Sequence, residues 1–374
     1  MNITTDFCQE IWHDMREPGA YEWWYFDAED TTSGFSVVLI WFAGFPFSPY
    51  YTNHYENWKK KSSSAPPLPS NYSAFSFQLY KNGDEIVNFI REGGHELFES
   101  TRSEIGIRFE KNSFIYNAER DEYALDIDFS YPARQKKIKA SLLFKSGQRI
   151  RYEKKDANNH GQVPRHQWLL SVPKAVVEGL IEVTELPDGS VRRIPFQAYG
   201  YHDHNLGAVP MQEYLSRWYW GRAFSEKFDL VYYVVFFKNN NYTPLTLLLL
   251  QNNKSEKVTV HDTMHFHESQ FRLGLFAPLH SRTLKLHDKN TEIEVRHQKV
   301  LDTGPFYLRF SSDILLTVDG KNFEPIRGIS EFLDPSRLHS RMMRLFTYCR
   351  IWRDGVPSIM YNSYNRLKGS FDLE

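Results

Sequence analysis

The densest set of chemistry-bearing side chains is Tyr199-Gly200-Tyr201-His202-Asp203-His204-Asn205-Leu206-Gly207. In an extended segment successive side chains alternate, so His202 and His204 share one face while Asp203 and Asn205 share the other. Three readings fit these residue types. An H-x-H pair on a strand can chelate a metal, but zinc sites take three or four ligands and no thiolate lies near. Asp203 can instead do acid–base work: flanked by imidazoles and tyrosines, it is placed to protonate an alkene carbon. The bland reading is a buried Asp203–His202 hydrogen-bonded strut between domains.

Two aromatic clusters bear on the second reading. Trp23, Trp24, Tyr25 and Phe26, and later Trp218, Tyr219 and Trp220, offer π faces. Such faces stabilise a cation within roughly 6 Å by about 1–2 kcal/mol when water is excluded. That suits a carbocation as well as an apolar ligand, although strand alternation must send about half of these rings into ordinary cores. Glu22 and Arg222 stand beside the clusters, and their expected role is structural, as a buried pair. His265-Phe266-His267, with His261 upstream, reads as a pair on a wet sheet face rather than a metal site.

The elements that must position these residues are mostly strands. Phe35–Phe42, Ala74–Tyr80, Ile105–Phe109, Tyr123–Phe129, Lys137–Phe144, Val176–Thr184 and Val191–Ala198 are short and rich in β-branched or aromatic residues. Turn signals separate such runs, among them Lys81-Asn82-Gly83-Asp84, Pro187-Asp188-Gly189 and Asp319-Gly320. Period-two alternation, as in Thr291-Glu292-Ile293-Glu294-Val295, predicts an antiparallel sheet with one wet face. Helical patterning is scarce; the best candidate starts at Asp334-Pro335 and runs through Phe346. Lys59–Asn71 reads as a long surface loop.

Glu22-Trp23-Trp24-Tyr25 leads into the apolar run Phe35–Phe42, and Arg217-Trp218-Tyr219-Trp220 leads into Leu230–Phe237. One theme used twice, offset by about half the chain, predicts two β-barrels in tandem, with domains at 1–207 and 208–374.

The composition of the 374 residues narrows the function classes. Lys+Arg total 45 against 46 Asp+Glu, so no basic excess exists to neutralise a phosphate backbone, and nucleic acid is not an expected partner. Two cysteines exclude a disulfide framework, though not a single bridge. The start carries Asp6, Glu10 and Asp14 and no apolar leader, and the longest apolar runs fall far below the roughly 18 residues of a membrane span. A cytoplasmic location with at most peripheral membrane contact is expected. The sequence contains no P-loop, no helix-opening Gly-x-Gly-x-x-Gly and no Gly-x-Ser-x-Gly elbow, so a cofactor-free reaction without metal fits what remains.

At Glu22-Trp23-Trp24-Tyr25-Phe26-Asp27 and Gly200-Tyr201-His202-Asp203-His204-Asn205 the chain resembles the carotenoid 1,2-hydratase (hydroxyneurosporene synthase) family, within the AttH-like group of tandem lipocalin-like proteins. Trp218-x-Trp220-Gly221-Arg222 and Gly328-Ile329-Ser330-Glu331-Phe332 resemble later motifs of that group. The resemblance implies an all-β protein of two tandem lipocalin-like antiparallel barrels with a short helix in the C-terminal region. It implies hydration of a terminal isoprenoid double bond without a cofactor, and it extends to relatives that cyclise polyenes by [4+2] addition. His202, Asp203 and His204 match the residues proposed to be catalytic in the hydratases. The chain departs from them at Asn205-Leu206-Gly207, where they continue Asn-Trp-Gly.

The expectation is therefore an enzyme, a hydratase or cyclase, acting on C=C bonds of an apolar polyene or isoprenoid. Asp203 donates the proton, and His202 or His204 sets its protonation or positions water. Trp23, Trp24, Tyr25, Tyr201, Asn205, Trp218 and Trp220 bind the substrate. The rivals are a pericyclic cyclase, whose pocket mainly folds the substrate, and a carrier that binds a lipid or pigment unchanged.

Overall fold

The computed structural model describes residues 1–147, 149–155, 164–238, 243–274, 277–356 and 358–371. The protein is mostly β and divides into two compact units, Met1–Pro210 with Arg344–Glu374, and Met211–Met343. Each unit holds one curled, mainly antiparallel sheet, of 14 strands in the first and 10 in the second among the described residues.

In the first sheet the strand Tyr21–Asp30 pairs on one side with the next strand, Phe35–Ala43. On its other side lies Val191–Gly207, the last long strand of the unit. The second sheet repeats this connectivity: Leu215–Phe224 pairs with the next strand, Phe228–Phe237, and with the last long one, Ile326–Leu333. The two aromatic motifs thus occupy the same position in their respective sheets. Inward rings and branched chains fill each curl. Trp24, Phe26, Trp41, Phe75, Phe114 and Phe144 pack in the first core; Tyr219, Tyr232, Leu248, Phe310 and Phe332 pack in the second.

The expected turns form for the expected reason. Asn82 and Gly83 both take positive φ, 51° and 80°, as do Asp319 and Gly320 at 49° and 74°. A tight hairpin with right-twisted strands needs that backbone at both central positions.

A helix at Pro49–Lys59 stands where no helix is expected from the pattern. Ser48 accepts the N–H groups of Tyr50 and Tyr51, and Pro49 begins the first turn. Ser48 also donates its hydroxyl to Glu92 Oε2 at 2.7 Å, and Arg353 NH1 reaches Glu92 Oε1 at 2.6 Å. Burial pushes Glu92 up to about 7, against the pull of Arg353 and Ser48. The folded chain therefore holds a proton that the unfolded chain releases at its ordinary value of 4.5. This contribution is full below pH 4.5 and is lost as pH rises through about 7. Its size is on the order of 3 kcal/mol. Urea unfolding at pH 5 and pH 8 is expected to show a smaller pH difference for Glu92→Gln than for the parent. Equal differences would show that Glu92 is ionised throughout.

The candidate helix after Asp334 forms as two short pieces. Asp334 caps a 3-10 turn at Pro335–His339, and an α-helix follows at Arg341–Thr347. A further helix spans Ile359–Phe371. Cys8 and Cys349 are both free thiols. Among the described residues no helix is long and apolar enough to cross a membrane.

Candidate functional site

The strand Val191–Gly207 continues well past the Val191–Ala198 run expected from its branched residues, and its last residues carry the polar string. Antiparallel register sets its neighbours. His204 lies opposite Trp24, Asp203 opposite Tyr25, His202 opposite Phe26 and Asn205 opposite Trp23. Cross-strand partners share a face, so the string splits into two chemically distinct sides. Gly200 holds the pairing close: a Cβ there would lie 2.6 Å from Val177 Cγ2 and 2.8 Å from the Asp27 carbonyl.

On the side facing the first core, each imidazole lies flat on a ring. His202 stacks on Phe26 with centroids 3.8 Å apart, and His204 stacks on Trp24 at 4.5 Å. His202 donates Nδ1–H to the Tyr25 carbonyl at 2.9 Å, and its Nε2 meets Glu10 Oε1 at 2.7 Å. Both ring nitrogens of His202 thus face acceptor oxygens. Ser171, within a bulged stretch of Gln167–Glu185, donates its hydroxyl to Glu10 Oε2. His204 Nε2 meets Glu22 Oε1 at 2.9 Å, and the same oxygen receives His13 Nδ1 at 2.7 Å.

Burial pushes both Glu10 and Glu22 upward, but their histidine partners overcome it and hold both carboxyls below the ordinary range. Burial pulls His13 down, yet its hydrogen bond and charge contact with Glu22 leave it raised.

The other side carries the carboxylate. Asp203 Oδ2 accepts from Trp168 Nε1 at 2.9 Å and from the Tyr201 hydroxyl at 2.8 Å; Oδ1 accepts from the Asn205 amide at 2.8 Å. Asp203 is 6 % exposed and Tyr201 fully buried. The Tyr25 hydroxyl donates to Asp27 Oδ2 at 2.9 Å, and the Tyr25 ring meets Tyr201 edge-on at 6.1 Å. Trp23 stacks on Tyr21, whose hydroxyl bonds His166 Nδ1 at 2.9 Å. Burial, with the N-terminal charge, pulls His166 down to about 3, so it is a neutral ring near pH 7.

The structure therefore brings Asp203, Tyr201, Asn205, Tyr25 and Trp23 together and sets Trp24, Glu22, His202 and His204 on the opposite face. The nitrogens of His202 and His204 that have partners are committed to Glu10, Glu22 and the Tyr25 carbonyl, so neither ring reaches Asp203. The two rings also serve different carboxylates and do not converge as a chelating pair. In the second unit Trp218 and Trp220 are buried on the face opposite the core ring Tyr219. Trp218 meets Tyr233 edge-on at 6.2 Å, and Arg222 lies over the Phe224 ring at 4.8 Å. His265 and His267 are exposed, on a strand paired to His280–His287.

Sequence reasoning missed Glu10, His13, Ser171, Trp168 and His166. Trp168 and His166 lie at or beside the start of a strand that pairs with the polar string, and their aromatic type is the only signal for them. Glu10 and His13 belong to an irregular N-terminal stretch with no period to read.

The sequence profile of the carotenoid hydratase CrtC family matches residues 39–357. A hydroxyneurosporene dehydrogenase of Chlorobaculum tepidum is 51 % identical over 373 residues, covering 100 % of this chain and 97 % of that one. An acyclic carotenoid 1,2-hydratase of Thiocapsa roseopersicina is 27 % identical over 216 residues, 56 % of this chain and 46 % of the relative. The alignment with it thus spans under half of the hydratase. Among solved structures, an AttH protein of Nitrosomonas europaea matches with a TM-score of 0.56 at 14 % identity, covering 87 % of this chain and 95 % of that one. CghA, solved with Sch210972, matches with a TM-score of 0.55 at 13 % identity, covering 85 % and 89 %. These two likenesses show the AttH-like, lipocalin-type fold.

Proposed function

The chain belongs to the carotenoid hydratase CrtC family, and we propose that it is a cofactor-independent hydratase of an acyclic polyene, working by protonation of a terminal C=C bond. The observation that carries this reading is Asp203, buried, with three hydrogen-bond donors on its carboxyl group and aromatic rings beside it. Proton transfer to the less substituted carbon of that double bond uses its π electrons to form a C–H bond and leaves a tertiary cation on the other carbon. Trp168, Tyr201 and Asn205 then receive the negative charge left on Asp203 with dipoles already aimed at it. The π faces of Trp23, Tyr25 and Tyr201 stabilise the cation. Water adds to the cation and returns a proton, so the sum is alkene plus water to tertiary alcohol. His202 and His204 act here as positioning residues: their stacked and bonded rings fix the strand that carries Asp203.

Leu206, which replaces the hydratases' tryptophan, lies opposite Glu22. That is the histidine face, so the missing ring is not taken from the surroundings of Asp203. Hydration, unlike the dehydrogenation in the name of the C. tepidum relative, needs no hydride acceptor, in keeping with the lack of a dinucleotide-binding motif. A peripheral approach to a membrane would supply so apolar a substrate.

The test is incubation of the metal-stripped protein with an acyclic carotenoid in deuterated water, without nucleotide or flavin. The expected product is an alcohol that retains one deuterium on carbon after back-exchange in ordinary water. An isomer of unchanged mass would replace this reading with cyclisation, loss of two hydrogens with dehydrogenation, and substrate bound but unaltered with a carrier.

A further inference from the structure

His13, Glu22 and His204 bring their ligand atoms within 4.8 Å of one another. They come from three separate segments: the irregular N-terminal stretch and the strands Tyr21–Asp30 and Val191–Gly207. Glu22 Oε1 stands between His13 Nδ1 at 2.7 Å and His204 Nε2 at 2.9 Å. Two imidazoles and a carboxylate form a donor set suited to zinc and its neighbours in the first transition row. Tetrahedral bonds of about 2.1 Å put ligand atoms about 3.4 Å apart, so the two gaps need to open by about 0.7 and 0.5 Å.

The tautomer of His204 points the same way. When Nε2–H donates to Glu22, a neutral ring presents a bare lone pair at Nδ1. That atom is buried without a hydrogen-bond partner, and the nearest charged oxygen is Glu10 Oε2 at 3.9 Å. A lone pair facing a carboxylate is the wrong polarity. A cation on Nε2 reverses it: the proton moves to Nδ1 and faces Glu10. A metal-bound histidine whose outer N–H is turned toward a carboxylate is the usual supporting arrangement. Glu10 is itself held in place by His202 and Ser171.

We propose that His13 Nδ1, Glu22 Oε1 and His204 Nε2 form a binding site for a divalent transition-metal ion, with Glu10 as the outer partner of His204. The His13 side chain is 30 % exposed while Glu22 and His204 have no exposed surface. The ion therefore enters past His13, and its fourth position faces that opening. Its role is to tie the N-terminal stretch to the two strands that close the first sheet. It lies on the face of Val191–Gly207 opposite Asp203, so the proposal is independent of the hydration chemistry.

The experiment uses untagged, chelator-stripped protein titrated with Co²⁺. One equivalent is expected to bind with visible bands of low-symmetry, four-coordinate cobalt, to be displaced by Zn²⁺, and to raise the midpoint of thermal unfolding. His13→Ala, which alters a partly exposed side chain, is expected to leave the metal-free circular dichroism unchanged and to weaken binding by more than about 100-fold. Glu10→Gln is expected to weaken it by about 10- to 100-fold, the range for loss of an outer partner. His261→Ala, a histidine of the second unit, is the control and should bind like the parent. Absence of the cobalt bands, or bands that persist in His13→Ala and vanish in His261→Ala, would overturn the site.

Discussion

Asp203→Asn is expected to lower hydration turnover by about 100- to 10,000-fold, the range a positioned proton donor contributes. The fold should survive the change. Asparagine keeps the volume, and its carbonyl can accept from Trp168 and Tyr201 as Oδ2 does now. Its amide would then meet the Asn205 amide donor, which accepts it after turning over to present oxygen. What the variant lacks is an acidic proton. Turnover and deuterium incorporation should fall together while substrate binding, followed by quenching of tryptophan fluorescence, stays near the parent's. Turnover within tenfold of the parent, with deuterium still on carbon, would move the acid to another residue, first of all Asp27, the hydrogen-bond partner of Tyr25.

Glu10→Ala is expected to cost about 3–5 kcal/mol of stability, as removal of one member of a buried ion pair does. Glu10 and His202 both have no exposed side-chain surface. Truncation leaves His202 Nε2 and the Ser171 hydroxyl without their acceptor and removes the charge that faces His204. Glu10→Gln keeps the shape and one acceptor oxygen, so its cost should be clearly smaller. Urea unfolding of the metal-free proteins measures both. A loss under about 1 kcal/mol for Glu10→Ala would show that water replaces the carboxylate and that the pair behaves as an exposed one.

The division of the polar string into two faces was legible because strand alternation is local: four consecutive residues suffice to separate His202 and His204 from Asp203 and Asn205. The sheets and hairpins were legible for the same reason, since Asn82-Gly83 and Asp319-Gly320 carry their backbone preference with them. What the imidazoles bond was not legible. Glu10 lies 192 residues before His202, and no pattern in an irregular stretch predicts a partner at that distance. The expectation that a histidine would touch Asp203 followed from adjacency, whereas in a strand adjacent side chains point apart. The helix at Pro49–Lys59 had its cap and proline at Ser48-Pro49, but its aromatic-rich sequence Tyr50, Tyr51, Tyr55 and Trp58 resembles strand more than helix. Val191–Gly207 extends past the Val191–Ala198 run marked by branched residues because its polar side chains find buried partners, among them Glu10, Glu22 and Trp168.

The pairing of an early strand with the last long one has a consequence for how this chain is made. Tyr21–Asp30 leaves the ribosome first, yet Val191–Gly207, which covers its free side, follows some 160 residues later. At about 5–20 residues per second that is an interval on the order of ten to thirty seconds. Throughout it one edge of a strand bearing Trp23, Trp24, Tyr25 and Phe26 is open to any other nascent strand. Chaperone supply and growth temperature during translation should therefore set the yield of native protein more strongly than the stability of the finished fold does.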